Sequence, residues 1–354
     1  MLFNYRYVSH DIEKLQKYLD HLVKEVWCKA NGVFSVDLLC VELKEIVVSV
    51  ADNHKIKMKL FEPIRDLFDL FKGLDTNQRN QFIQWYDANN DIEALCANDP
   101  HKQPITYAEV ALINVTLAAQ LKTFYDDLWN RVLTWDIVKS KSGDIKEHYK
   151  AFVKVNDEGK CPYCGFGDIK GLHHSKRDAY DHYLPKGTYP FNSVNFKNLA
   201  PMCHECNSSY KLEKNPAQHI DPLRKAGVGT RRKAFYSYAA TPPNISIELT
   251  LLSSDIDKLC PTDIELNFTA PGNEEELEAW KDVFGIEERY KAKCCAKNDG
   301  KYWLMQALDE CANAGMSVDD MLQKIDRNAK ASPLAECNFL KMPFLLACQN
   351  VGLV

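Results

Sequence analysis

The chain has 354 residues, of which 45% are hydrophobic, 11% aromatic and 26% charged. Such proportions fit a globular protein of about two or three domains and exclude a disordered or fibrous chain. No apolar run approaches the roughly 20 residues that span a bilayer. Asp11 and Glu13 interrupt the start before an apolar signal core develops, so a cytoplasmic protein with no membrane attachment is expected. The net charge of −5 conceals an asymmetry. Between Lys150 and Ala234, 15 basic residues face 8 acidic ones, a local net of +7 that leaves −12 for the remainder. A basic island in an acidic chain points to a polyanionic partner.

The first 150 residues read as helical. Ile12, Leu15, Leu19, Leu22, Val23 and Val26 recur at three- and four-residue steps, and Ser9 or Asp11 is placed to cap that helix. A second segment spans about Val36 to Val50, and a third carries Ile64, Leu67, Phe68 and Leu70. Asp75 opens a helix bearing Phe82, Ile83, Trp85 and Tyr86. After Pro104, the stripe Val110, Ile113, Leu117, Leu121, Phe124, Leu128 and Val132 predicts one uninterrupted helix of over six turns. Lys139-Ser-Lys-Ser-Gly143 has the composition of a short linker. Residues 156–232 are rich in Gly, Pro, Asn, His and Cys. Beyond them, Ile245, Ile247, Leu249 and Leu251 alternate strictly, as do Ile264, Leu266 and Phe268, which predicts two antiparallel strands. Helical spacing resumes at Glu274, broken near Gly285, Asp299-Gly300 and Gly315. No internal repeat or Gly-rich phosphate loop is present.

Thirteen cysteines is an odd number for a disulfide framework, and free, packed or metal-bound thiols are expected in a reducing compartment. Cys28, Cys40, Cys96, Cys260, Cys311, Cys337 and Cys348 are isolated and suit core packing, as do the adjacent Cys294 and Cys295. The pairs Cys161-Pro-Tyr-Cys164 and Cys203-His-Glu-Cys206 differ. They lie 38 residues apart and supply four soft thiolates, a donor set for a closed tetrahedral zinc site of structural type. Four unliganded buried thiols are the alternative. The spacer exceeds that of a compact zinc ribbon, so a functional insertion is expected between the knuckles.

That insertion contains Asp181-His-Tyr-Leu-Pro-Lys186 and ends in Asn195-Phe-Lys-Asn198-Leu-Ala-Pro201, followed by Cys203-His-Glu-Cys206-Asn207-Ser-Ser-Tyr-Lys211. From Cys161 to Lys211 the sequence resembles the HNH, or ββα-metal, endonucleases. The resemblance implies an α+β, mainly helical chain with a zinc-bound ββα-metal finger, divided as 1–140 (helical, for partner binding or regulation), 141–235 (nuclease) and 236–354 (strand pair plus helices). It implies that His182 activates water and that Asn198 holds the His182 loop, with Asn195 as the second candidate for that position. Asp181 and Asn207 supply the oxygen donors that a hard divalent ion, magnesium or manganese, takes. Lys211, one helical turn after Asn207, is expected to face the same phosphate. Asn207 also suits a helix cap, Asn198 a turn, His182 a zinc ligand or a packed histidine, and Lys186 and Lys211 a solvated surface.

His173, His174 and His204 read as non-catalytic. Tyr180, Tyr183, Tyr189, Phe191 and Phe196 read as packing for the finger. Lys170, Lys176, Arg177, Lys186 and Lys197 surround the motif, and Arg224, Lys225, Arg231, Arg232 and Lys233 follow it, which suits phosphate contacts that carry no sequence information. More loosely, the chain resembles the HNH subunits of bacterial anti-phage systems, of the PtuB type. That implies a protein partner such as an ATPase subunit, which gates the cutting of nucleic acid, DNA in the first place. An RNA- or tRNA-cutting toxin and a non-catalytic zinc scaffold are the rival readings.

Overall fold

A computed structural model describes residues 1–49, 57–219 and 229–354, so Val50, Arg224 and Lys225 lie outside the described residues. Among the described residues the chain is mainly helical, with three small two-stranded antiparallel sheets. The N-terminal helices are α1 (Lys14–His21), α2 (Val41–Ser49), α3 (Phe61–Lys72), α4 (Thr76–Asn90), α5 (Ile92–Cys96), α6 (Tyr107–Ile113), α7 (Val115–Asn130), α8 (Asp136–Ser142) and α9 (Ile145–Val155). Their apolar stripes meet in one core, in which Trp27 stacks on Phe71 and sets an edge against Phe124.

Three expectations are corrected here. The 3-10 turn Asp11–Glu13 that leads into α1 is capped by His10, which forms a capping box with Glu13, rather than by Ser9 or Asp11. The long helix after Pro104 is two helices. Asn114 is extended and its side chain accepts a hydrogen bond from Leu117 N, ending α6 and opening α7 in one residue. The supposed linker at Lys139 is the last part of α8, which Gly143 closes at φ 81°. Burial of Val138 and Ser142 holds the segment as helix, and its lysines are themselves good helix formers.

In the middle of the chain, β1 (Tyr180–His182) pairs with β2 (Leu199–Pro201), placing Asp181 opposite Ala200 and His182 opposite Leu199. The chain then forms a π-helical turn, Cys206–Lys211, ended by Leu212 at φ 50°. A minor pair, β3 (Gln218–His219) with β4 (Thr230–Arg231), follows. The alternating strands form as expected. β5 (Ser246–Leu251) and β6 (Ile264–Thr269) pair in register with Leu249, Leu251, Ile264 and Phe268 buried and their neighbours exposed. Helices α10 (Glu274–Phe284), α11 (Ile286–Cys295), α12 (Gly300–Ala314), α13 (Val318–Ala331) and α14 (Asn338–Asn350) complete the chain. Among the described residues no helix is long and apolar enough to cross a membrane.

Of the isolated cysteines, Cys28, Cys96, Cys337 and Cys348 are buried, but Cys260 is exposed, on a turn where it meets Asp263. The finger aromatics are all packed inside: Tyr180, Tyr183, Tyr189, Phe191 and Phe196 are buried.

Candidate functional site

The two knuckles converge. The Sγ atoms of Cys161, Cys164, Cys203 and Cys206 all lie within 4.8 Å of one another, and Cys164 and Cys203 are 3.9 Å apart. Four sulfurs at about 2.3 Å from a tetrahedral zinc ion stand about 3.8 Å from each other, so the spacing fits zinc without rearrangement. All four are buried, and among the described residues no fifth donor joins them: His204, inside the second knuckle, is exposed. The Cys164 thiol is pulled down from its ordinary pKa by hydrogen bonds from Cys161, Cys203 and Cys206. The backbone supports it too, because Gly167 N–H donates to Cys164 Sγ at 3.3 Å. Only glycine fits at that position: a Cβ on Gly167 would stand 2.7 Å from Cys203 Sγ.

Four thiolates around a divalent ion leave a net charge of −2. Arg289 on α11 answers it. Its Nη1 donates to Cys206 Sγ at 3.2 Å and its Nη2 to Glu205 at 3.0 Å. Its guanidinium is sandwiched by the rings of Phe166 and Tyr210, at 4.9 and 4.5 Å. Two more C-terminal side chains tie the first knuckle down: Trp280 Nε1 donates to Tyr163 O and Tyr290 Oη to Cys164 O.

The Asp-His pair lies on β1, covered on both faces. Alternation along the strand turns Asp181 and His182 to opposite faces, and each meets a different partner. His182 Nε2 lies 2.8 Å from Ser193 O. A carbonyl only accepts, so Nε2 carries the proton and Nδ1 keeps a free lone pair. Burial pushes the His182 pKa down to about 3, so the ring is neutral at pH 7. Trp129 on α7 sets its edge against the imidazole at 4.6 Å between centroids.

Asp181 is 6% exposed and paired with Lys211, itself 1% exposed. Lys211 Nζ stands 3.2 Å from Oδ1 and 3.0 Å from Oδ2, but only the Oδ1 contact has hydrogen-bond geometry, so Oδ2 remains an unused acceptor. Lys211 also donates to His182 O at 2.9 Å. Burial raises the Asp181 carboxyl and the Lys211 charge opposes it. Lys211 thus faces the carboxylate from within the protein instead of open solvent. Asn207 is half-buried on the same turn, and its backbone oxygen accepts from Leu212 N. Asp181 Oδ2 is buried 3.0 Å from the Lys211 ammonium, and no hydrogen bond joins the Asn207 side chain to Asp181 among the described residues.

Asn198 is fully buried and clamps the loop after His182, accepting from Leu184 N at 2.8 Å and donating to Leu184 O at 2.9 Å. Asn195 points elsewhere, donating to Asn90 on α4. The rest of this loop is stitched to the N-terminal helices: Asn89 donates to Pro190 O, Ser193 Oγ to Tyr125 O, and Lys186 pairs with Asp126. Sequence reasoning missed Arg289, Trp129 and Ser193. It also missed Asn192, fully buried beside Ser193, whose amide makes no hydrogen bond among the described residues.

Fold and site together define a mainly helical protein carrying a four-cysteine cluster suited to zinc beside a buried Asp-His-Lys group. Two curated proteins show similarity over short stretches. Septu protein PtuB of Bacillus thuringiensis is 37% identical over 62 residues, 18% of this chain and 23% of that protein. Protein ea31 of Escherichia phage lambda is 31% identical over 90 residues, 25% of this chain and 26% of that protein. The matched stretches span about a quarter of each relative's length. No known family matches the chain, and no solved structure matches it significantly.

Proposed function

We propose that the protein is a metal-dependent HNH endonuclease that hydrolyses phosphodiester bonds, with DNA the favoured polymer and an anti-phage role alongside a partner ATPase. The observation that carries this reading is the His182 imidazole. It is neutral, fixed as one tautomer by Ser193 O, and seated beside Asp181 on a hairpin that Asn198 clamps. A base whose proton-accepting nitrogen is free and whose other nitrogen is anchored is oriented to take a proton from water, and a divalent ion that acidifies the water when bound would offset the low basicity that burial imposes. Similarity to a Septu protein supports the defence setting.

In this reading the four cysteines hold zinc and fix the finger. Asp181 and Asn207 hold the magnesium or manganese ion, which neutralises phosphate charge and stabilises the leaving oxygen when bound. Lys211 keeps the buried Asp181 carboxylate compensated and, through His182 O, holds the strand against the π-helical turn. Residues 141–235 form the nuclease unit, residues 1–140 carry the partner or regulatory surface, and residues 236–354 close over the cysteine cluster.

The test uses wild type and His182→Ala with supercoiled plasmid, linear duplex, single-stranded DNA and total tRNA, in magnesium, manganese or EDTA, with zinc measured on the same samples. Metal-dependent cutting lost in the variant, with zinc retained in both, is the expected result. Cutting of tRNA alone would move the substrate to RNA. Absence of cutting with the partner ATPase supplied, zinc still bound, would leave a scaffold and end the nuclease reading.

A further inference from the structure

Between α9 and the segment 171–179, which leads into β1, lies a cleft of about 520 Å³. Its charged lining is entirely basic among the described residues: Lys146 and Lys150 from one wall, His174, Lys176 and Arg177 from the other. Lys146, Lys150, His174 and Lys176 are exposed. Lys146 and Lys176 form no ion pair among the described residues. Lys150 shares an exposed contact with Glu147 at 2.9 Å, a pair that water and salt largely neutralise. The nearest buried acid, Asp178, is already matched by Lys170 at 2.6 Å. Arg177 is set in place from beneath, its Nη1 donating to Asp178 O and its guanidinium lying 5.6 Å from the Tyr180 ring centre.

The position of the cleft matters as much as its charge. Ala179 lines it, and the hairpin ladder continues through Ala179, whose carbonyl accepts from Met202 N. β1 begins at the next residue, Tyr180, and Asp181 and His182 follow about 7 to 10 Å along the chain. Successive phosphates of a nucleic-acid strand are spaced on that scale, so a strand whose backbone enters the cleft is led toward the hairpin that carries Asp181 and His182.

We infer that this cleft is the backbone track of the substrate, binding consecutive phosphodiester groups of a nucleic-acid strand irrespective of base sequence through Lys146, Lys150, Lys176 and Arg177. The purpose of the track rests on the nuclease reading, but its binding is measured apart from cleavage. The Tyr149 hydroxyl that borders it is spent on Lys170 O.

The experiment measures binding of a labelled 30-base-pair duplex, a single strand of equal length and ATP to the full chain carrying His182→Ala. It is repeated with Lys146→Glu, Lys150→Glu and Lys176→Glu combined. Removing three phosphate contacts lowers the slope of log affinity against log salt by about 2 to 3 for duplex and weakens binding about tenfold or more at moderate salt. The same lysines changed to Gln give a smaller loss in the same direction. A control set, Lys17→Glu, Lys258→Glu and Lys330→Glu, shifts net charge equally and keeps the parental slope. Circular dichroism and zinc content confirm that each variant folds. Parental slope and affinity in the cleft variant overturn the inference, as does absence of polymer binding by the parent. Loss of ATP binding with polymer binding intact overturns it too, because the cleft is then a nucleotide pocket. Salt-sensitive binding through the cleft in a protein whose wild type cuts nothing would separate this inference from the nuclease reading.

Discussion

Gly167→Ala is the sharpest perturbation of the cysteine cluster, because it adds one methyl group and no charge. The new Cβ would stand 2.7 Å from Cys203 Sγ, 3.0 Å from Cys203 Cβ and 3.3 Å from Cys164 Sγ. An ordinary carbon–sulfur contact is nearly 1 Å longer than the first of these, so Cys203 must retreat by roughly that much. Metal–ligand distances tolerate about 0.2 Å, so Cys203 leaves the coordination sphere or the knuckle deforms. A four-thiolate zinc site is worth about 10–16 kcal/mol, and weakening one ligand in four costs about 3 kcal/mol, or roughly a hundredfold in zinc affinity. The assay is competition against a graded series of zinc chelators, with a thermal melt on the same protein. Gly171→Ala, where a Cβ meets nothing within 4 Å, is the matched control and should behave as wild type. Wild-type zinc affinity in Gly167→Ala would refute the claim that this glycine is fixed by the sulfurs packed on it.

Three further outcomes follow from the site. Lys211→Met strands a buried carboxylate and should cost about 3–5 kcal/mol in denaturant unfolding, while adding Asp181→Asn should recover a large part of it; no recovery in the double variant would mean that the pair is not coupled. Trp129→Ala uncovers one side of the His182 ring, so its pKa, held at about 3 by burial, should rise by at least about one unit in an NMR titration. His148 is buried against Phe196 and Tyr180 and its pKa is pushed down to about 4, by burial first and then by His10. The unfolded chain takes up that proton near pH 6.5 and the folded chain does not, so stability is lost as pH falls from about 6.5 to 4, by up to about 3 kcal/mol. His148→Phe should flatten that part of the stability–pH curve relative to wild type; an unchanged curve would remove His148 as a source of acid sensitivity.

Much of the fold is written in local pattern. The stripes of α1, α3 and α7 and the alternation of β5 and β6 read directly, because one buried face imposes a period on the sequence. The break at Asn114 does not, since an apolar stripe runs on through a residue that is itself a good cap. The helical end of α8 is hidden for the opposite reason: its polar Ser and Lys residues followed by Gly look like a linker, and burial of Val138 and Ser142 against distant parts of the chain decides. The same division holds at the site. Two CxxC pairs announce a thiolate cluster by spacing alone. Arg289 answers that cluster from 83 positions beyond Cys206 and carries no local signature. Trp129 looks like any core aromatic of an amphipathic helix. Ser193 anchors His182 through a backbone oxygen, which any residue would have supplied, so side-chain identity could not reveal it.

The roof over the cysteines has a temporal consequence. Cys161, Cys164 and Cys206 are wholly enclosed, and α10 and α11 are fastened over them through Trp280, Arg289 and Tyr290. An ion bound there would exchange slowly, because three of its four sulfurs would reach solvent only when the C-terminal helices lift, and its release would then follow local opening of that roof more than the strength of the chelator that receives it.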